Sequence, residues 1–246
     1  MQEIAYAKIN LALHVRRRRG DGYHQLETVF AFVDQGDVVR VEVAERDALI
    51  LSGEFAAGLD AGGDNIVMRA LAGLPRDVGW RVHLDKCLPV AAGLGGGSAD
   101  AGAVFRLAAR YGVLPDGWEN FAAGLGADVP ACVASAMQLG LGTGTELTAM
   151  DNDLAGCPVL LVNPRVPLST GAVFKAWDGA DLGPLPHGSA REIAARGRND
   201  LEAAAMGLCP AVGEVLALLR RTDGWLVRMC GSGATCFALF DDVGQR

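Results

Sequence analysis

The sequence predicts a protein of mixed helices and strands in two domains, and three observations predict it. Residues 80–112 run strand, glycine-rich loop, helix. Residues 3–15, 25–32, 37–44 and 48–52 alternate or run apolar, as strands of a sheet with antiparallel pairs do. Val212, Val215, Leu216 and Leu219 mark a helix by their i, i+3, i+4, i+7 spacing. A chain of 246 residues makes one large or two modest domains. Polar residues interrupt the pattern around Asp151–Gly156, which puts the boundary between 1–154 and 155–246.

Composition narrows the class of function. Half the residues are hydrophobic, enough for a core, and the 33 glycines are scattered through apolar segments. A net charge of −7 argues against a nucleic-acid partner. It does not argue against ATP, which local N–H groups and cations bind. The six cysteines are widely spaced, none in C-x-x-C, and only four histidines are present, which argues against zinc. The cysteines read as small core residues. No charged n-region with an apolar stretch follows Met1, and no run approaches a membrane span. The expectation is a cytoplasmic protein with reduced thiols and no membrane partner.

Taken in order, residues 3–15 read as one or two strands. Lys8 stands inside that apolar run, either on an exposed strand face or aimed into a site. Arg16–Arg19 and Asp21-Gly22 read as a hairpin tip, most of the arginines facing water. Tyr23 and His24 follow the turn, where an aromatic and an imidazole can stack on and hydrogen-bond a base. Residues 53–64 form a loop, and Asp64 or Asn65 caps a helix through Leu71.

Trp80, Val82 and Leu84 alternate with Arg81, His83 and Asp85 as a half-buried strand does. The loop that follows reads PVAAGLGGGSADAG. Ala101, Val104, Phe105, Ala108 and Tyr111 then fall at helical spacing, and Gly112 closes the helix. A helix N-terminus has unpaired N–H groups and a partial positive charge. Glycines let the backbone come close and adopt φ > 0, so the order favours an anion such as phosphate, with a tight turn that needs small residues for packing as its other reading. Ser98 can cap the helix, touch a phosphate or ligate Mg²⁺. The loop lacks the lysine of the Walker A pattern and fails the G-x-G-x-x-G spacing.

Asp128 lies in GADVP, an acid in apolar company, which is costly unless paired. It reads as an N-cap or turn residue, or as a general base. Residues 138–147 read as strand, turn, strand, and Cys157–Asn163 as a buried strand. Ser169-Thr170 caps a helix holding Val173, Phe174 and Trp177, and 178–190 are loop-like. Asn199-Asp200-Leu201-Glu202 opens a short helix. Two strands, 225–230 and 236–240, flank the small-residue loop Gly231–Thr235.

Five stretches carry a resemblance that covers nearly the whole chain: AKINLAL, RGDGYHQLETVF, PVAAGLGGGSADA, GADVP and CGSGATCF, in that order. Pro-x3-Gly-Leu-Gly-x2-Ser resembles the phosphate loop of the GHMP kinases. The resemblance implies the α+β class, with the two-domain GHMP kinase fold and an active site in the interdomain cleft. It implies a small-molecule kinase using ATP and Mg²⁺, with Asp128 taking the proton from an alcohol and Lys8 beside the transferred phosphate. Pro89, Ala91, Gly93, Leu94, Gly95, Gly96, Gly97 and Ser98 would hold the triphosphate. Ser98 is a candidate Mg²⁺ ligand, and no metal is tightly held by the protein itself.

The helix from Asn65 is similar to one near the adenine, which makes Asn65 a nucleotide-contact candidate, with capping its other reading. RGDGYHQLET is similar to one branch of the family, which acts on a cytidine-diphosphate-bearing small molecule. Tyr23 and His24 would then line the cytidine pocket, Phe174 would stack on the base or pack in the core, and Asn10 would contact the substrate. Homoserine-type or mevalonate-type members, and a non-catalytic nucleotide-binding protein on the same fold, are the alternatives. A monomer or weak homodimer is expected. The relatives the motifs resemble continue past the last strand with a helix and strand, so a shortened C-terminal domain is expected.

Overall fold

The computed structural model describes residues 1–242 and Gly244. No helix among them is long and apolar enough to cross a membrane. The chain divides into two compact units. The first comprises residues 1–8, 32–90 and 95–135; the second comprises 9–31, 91–94 and 136–246. Two long strands, β1 (Gln2–Arg18) and β2 (His24–Ala44), supply residues to both.

In the first unit, β2 pairs antiparallel with β4 (Gly79–Asp85), from Val38 opposite Asp85 to Ala44 opposite Gly79. β3 (Ala48–Ser52) lies on the other side of β4 and runs parallel to it, which the expectation of antiparallel pairs did not include. The pleat turns Trp80, Val82 and Leu84 to one face. There they pack with Val39 and Val41 against Val104, Phe105 and Ala108 of α2 (Gly96–Arg110). α1 (Ile66–Ala72), α3 (Trp118–Leu125) and α4 (Val129–Ala134) complete this unit.

In the second unit, β2 pairs antiparallel with β5 (Gln138–Gly142), and β5 with β6 (Glu146–Ala149). A separate sheet has the order β7 (Val159–Val162), β9 (Cys236–Leu239), β8 (Leu226–Met229), all antiparallel. α5 (Thr170–Ala176), α6 (Ala190–Arg196), α7 (Glu202–Leu208) and α8 (Pro210–Leu219) belong to the same unit. Val173, Leu201, Val212, Leu216, Met229 and Phe240 share its core.

Three readings change. β7 is half-buried along its whole length, where a buried strand was expected. Residues 190–196, of which Ala190 was read as loop and 191–196 were unassigned, form a helix with a reciprocal Ser189–Glu192 capping box. Cys87 is exposed, unlike the four buried cysteines that fit the core reading.

Candidate active site

The glycine-rich stretch is shaped by backbone angles. Gly95 takes φ +66° and is the N-cap of α2, with no side-chain cap. Ser98 therefore sits inside the first turn, and its capping reading is set aside. The first-turn N–H groups of α2 have no partner within the helix, as at any helix start. Gly93 has φ +80°, and a Cβ there would lie 2.4 Å from the Cys230 carbonyl oxygen. Only glycine fits both requirements. A Cβ at Gly96 or Gly97 would meet nothing nearer than 3.6 Å, so the need for glycine there is not steric. Ala91 also has positive φ, at +53°.

The front of the loop rests on the second small-residue loop. Thr235 N–H donates to the Ala92 carbonyl at 3.1 Å, and Cys230 Sγ donates to that of Gly93 at 3.2 Å. Leu94 is buried, Pro89 half-buried and Ala91 exposed.

Lys8 lies in β1 with its side chain buried, and its Nζ is 3.1 Å from Oδ2 of Asp128, which is about one-third exposed. Asp128 is the N-cap residue of α4, yet its side chain makes no capping hydrogen bond. Its carboxylate faces Lys8 instead. A Cβ at Gly95 would lie 3.1 Å from Lys8 Cε, and one at Gly126 would lie 3.8 Å from Ser98 Oγ. Lys8, Asp128 and the first turn of α2 thus meet in one place.

In the second unit, His24 opens β2. Its ring is 4.9 Å from Phe174 and 5.7 Å, edge-on, from Trp177. Its Nε2 is buried without a hydrogen-bond partner. Burial, and then the Arg18 charge, push the imidazole below its usual pKa. Arg18 lies over the Trp177 ring at 5.6 Å and donates to the carbonyls of Lys175 and Trp177. Phe174 is half-buried and packs against the core, as its core reading requires. Tyr23 is 63% exposed and is not part of this cluster of rings. Asn10 is buried and donates from Nδ2 to Thr28 Oγ at 2.8 Å; its Oδ1 lies near Gly231.

Asn65 caps α1. Its Oδ1 accepts from Val67 N–H at 2.9 Å and its Nδ2 donates to the Asp60 carbonyl at 2.7 Å. Both ends of the carboxamide are engaged within the protein, as the capping reading requires.

Sequence reasoning missed two features. Trp177 was read only as a residue of the helix that Ser169-Thr170 caps. A buried trio of Asp37, Lys86 and Asp100 beside the first turn of α2 was not read at all. No cluster of three or more metal-ligating His, Cys, Asp or Glu side chains occurs among the described residues. Near the loop, Ser98 Oγ and the Asp128 carboxylate are the oxygen donors that fit a Mg²⁺ arriving with a nucleotide.

Comparison with known proteins gives consistent matches. The family described as GHMP kinases N terminal domain matches residues 65–136, and GHMP kinases C terminal matches 186–245. The 4-diphosphocytidyl-2-C-methyl-D-erythritol kinase of Novosphingobium aromaticivorans is 64% identical over 246 residues, covering 100% of this chain and 86% of that protein. The enzyme of the same name from Erythrobacter litoralis is 60% identical over 248 residues, covering 99% and 91%. The crystal structure of a 4-(cytidine 5'-diphospho)-2C-methyl-D-erythritol kinase superposes with a TM-score of 0.80 at 32% identity, covering 100% of this chain and 92% of that one.

Proposed function

The chain belongs to the GHMP kinases and, within them, to the 4-diphosphocytidyl-2-C-methyl-D-erythritol kinases, and from that premise we propose how its residues work. The reaction moves the γ-phosphoryl group of ATP to the 2-hydroxyl of 4-diphosphocytidyl-2-C-methyl-D-erythritol, a step toward isoprenoid precursors. The O–H bond of the alcohol and the bond from the γ-phosphorus to the bridging oxygen break. A new P–O bond forms and ADP leaves.

The single observation that carries the assignment is the Lys8–Asp128 pair, 3.1 Å apart, beside the start of α2. Asp128 accepts the hydroxyl proton. Lys8 orients that carboxylate and offsets charge on the transferring phosphoryl oxygens. Gly93, Leu94, Gly95, Gly96, Gly97 and Ser98, entered through Pro89 and Ala91, turn their N–H groups to the triphosphate. Ser98 Oγ and the Asp128 carboxylate would hold a Mg²⁺ arriving with ATP, and that ion would supply neutralisation of phosphate charge. His24 and Phe174 hold cytosine, Tyr23 covers it from the exposed side, and Asn10 contacts the substrate. Asn65 has no part in this reading. By the sequence boundary, 1–154 carry the phosphate loop and the Lys8–Asp128 pair and 155–246 are the second domain; the compact units cut across it, because 9–31, 91–94 and 136–154 belong to the second unit.

The test is Asp128→Asn. Turnover is expected to fall by about a hundredfold or more, the scale of lost general-base catalysis. Calorimetric affinity for ATP should stay near that of the wild type. Unchanged turnover would sink the base assignment.

A further inference from the structure

Three charged side chains outside the proposed machinery lie buried against the first turn of α2. Asp37 on β2, Lys86 just after β4 and Asp100 on α2 are 0%, 4% and 3% exposed. Lys86 Nζ donates to Oδ2 of Asp37 and, at 2.7 Å, to Oδ2 of Asp100. Asp37 Oδ1 accepts the backbone N–H groups of Cys87 at 2.6 Å and Leu88 at 2.7 Å. A Cβ on Gly96 would lie 3.6 Å from Lys86 Nζ and 3.7 Å from Asp37 Oδ2.

Burying ions is expensive, and apolar packing of equal volume often holds a fold as well or better. What an ion cluster adds is direction. Asp37 grips the backbone of the two residues that lead into Pro89. Lys86 reaches from that same segment to Asp100, just past the first turn of the helix that Gly95 opens. The entry and the exit of residues 89–95 are tied to one point.

We infer that Asp37, Lys86 and Asp100 form a positioning cluster that sets the two ends of the phosphate loop, so that its N–H groups converge on the nucleotide. The inference rests on the assignment of Gly93–Ser98 to the ATP phosphates. Asp100 is buried, its Oδ2 accepts from Lys86, and its Oδ1 has no hydrogen-bond partner. The two carboxylates hold Lys86 above the usual lysine range in spite of its burial. A chain without Lys86 would leave both Asp37 and Asp100 without their cation, and the decisive variant neutralises Asp100 while Asp37 keeps its two backbone donors.

Lys86→Met with Asp100→Asn in the same full-length chain cuts the tie between loop entry and helix, and leaves Asp37 its two backbone donors. ATP binding is measured by calorimetry, together with KM for ATP and for the alcohol substrate. The ATP dissociation constant and KM should both rise about tenfold, the scale of one charge-assisted hydrogen bond. KM for the alcohol should stay within about twofold, while the Asp37 carboxylate, left with its backbone donors alone, lowers the unfolding temperature. Wild-type ATP affinity in the folded double variant overturns the inference, and so does an equal loss for both substrates. If the double variant does not fold, Asp100→Asn alone decides. A rise of about threefold confined to ATP supports the cluster's role, and none overturns it. A wild-type protein that binds no ATP in the calorimeter would instead overturn the phosphate-loop reading on which the inference rests.

Discussion

His24 carries an imbalance at the scale of one residue. A buried ring nitrogen without a partner costs free energy on the order of 1–3 kcal/mol, and Nε2 of His24 is such an atom. Phe174 and Trp177 flank the ring, and burial with Arg18 nearby lowers its pKa, so the neutral imidazole is the favoured form at neutral pH. A neutral imidazole can pair with the polar edge of a pyrimidine while a neighbouring ring stacks. His24→Ala should raise KM for the cytidine substrate about tenfold and leave KM for ATP unchanged. Equal rises for both would mark His24 as structural. His24, Lys8 and Asp128 were legible in the sequence because each is a polar residue in conspicuous company. Asp37, Lys86 and Asp100 were not. Asp37 follows Gly36 like a turn residue, Lys86 looks like a polar strand end, and Asp100 sits among helix formers. Only the fold brings them together.

Arg106 shows how whole elements are registered. From α2 it donates to Glu3 Oε2 at 3.0 Å and the Ile4 carbonyl at 2.6 Å, both on β1. It also donates to the Cys132 carbonyl at 2.6 Å and Ser135 Oγ at 2.9 Å, at the end of α4. β1 carries Lys8 and α4 follows Asp128, so one guanidinium ties together the elements that present the pair. Arg106→Met leaves these acceptors without that donor and should cost about 2–4 kcal/mol of stability, read by urea unfolding. A loss below about 1 kcal/mol would remove Arg106 from that role. Most elements were legible at this scale: β3 and β4 fall where alternation put them, and Asn65 and Ser169 cap the helices they were expected to cap. β2 was read as two strands because Asp34, Gln35 and Gly36 look like a turn. The strand in fact runs through, and Gly36 is required because a Cβ there would lie 2.2 Å from the Ala5 carbonyl oxygen. α4 has six residues and begins at a proline-containing turn, too short for a 3.6-residue period to register.

Across the whole molecule, composition excluded more than it identified. The acidic balance and scattered cysteines argued against nucleic acid and zinc, while leaving nearly every soluble enzyme open. The resemblance carried by the five motifs in their order supplied the rest, because it implied one chemistry for a glycine loop with a distant lysine and aspartate. The Lys8–Asp128 pair and the glycine-shaped start of α2 suit any alcohol acceptor. In the proposed reading the rings around His24 discriminate the acceptor. The most direct test is ADP release from Mg-ATP with 4-diphosphocytidyl-2-C-methyl-D-erythritol, and with mevalonate and homoserine in parallel. Turnover with the cytidine compound alone is the predicted result. Turnover with mevalonate or homoserine instead, or with none of the three from folded protein that binds ATP, would contradict the account.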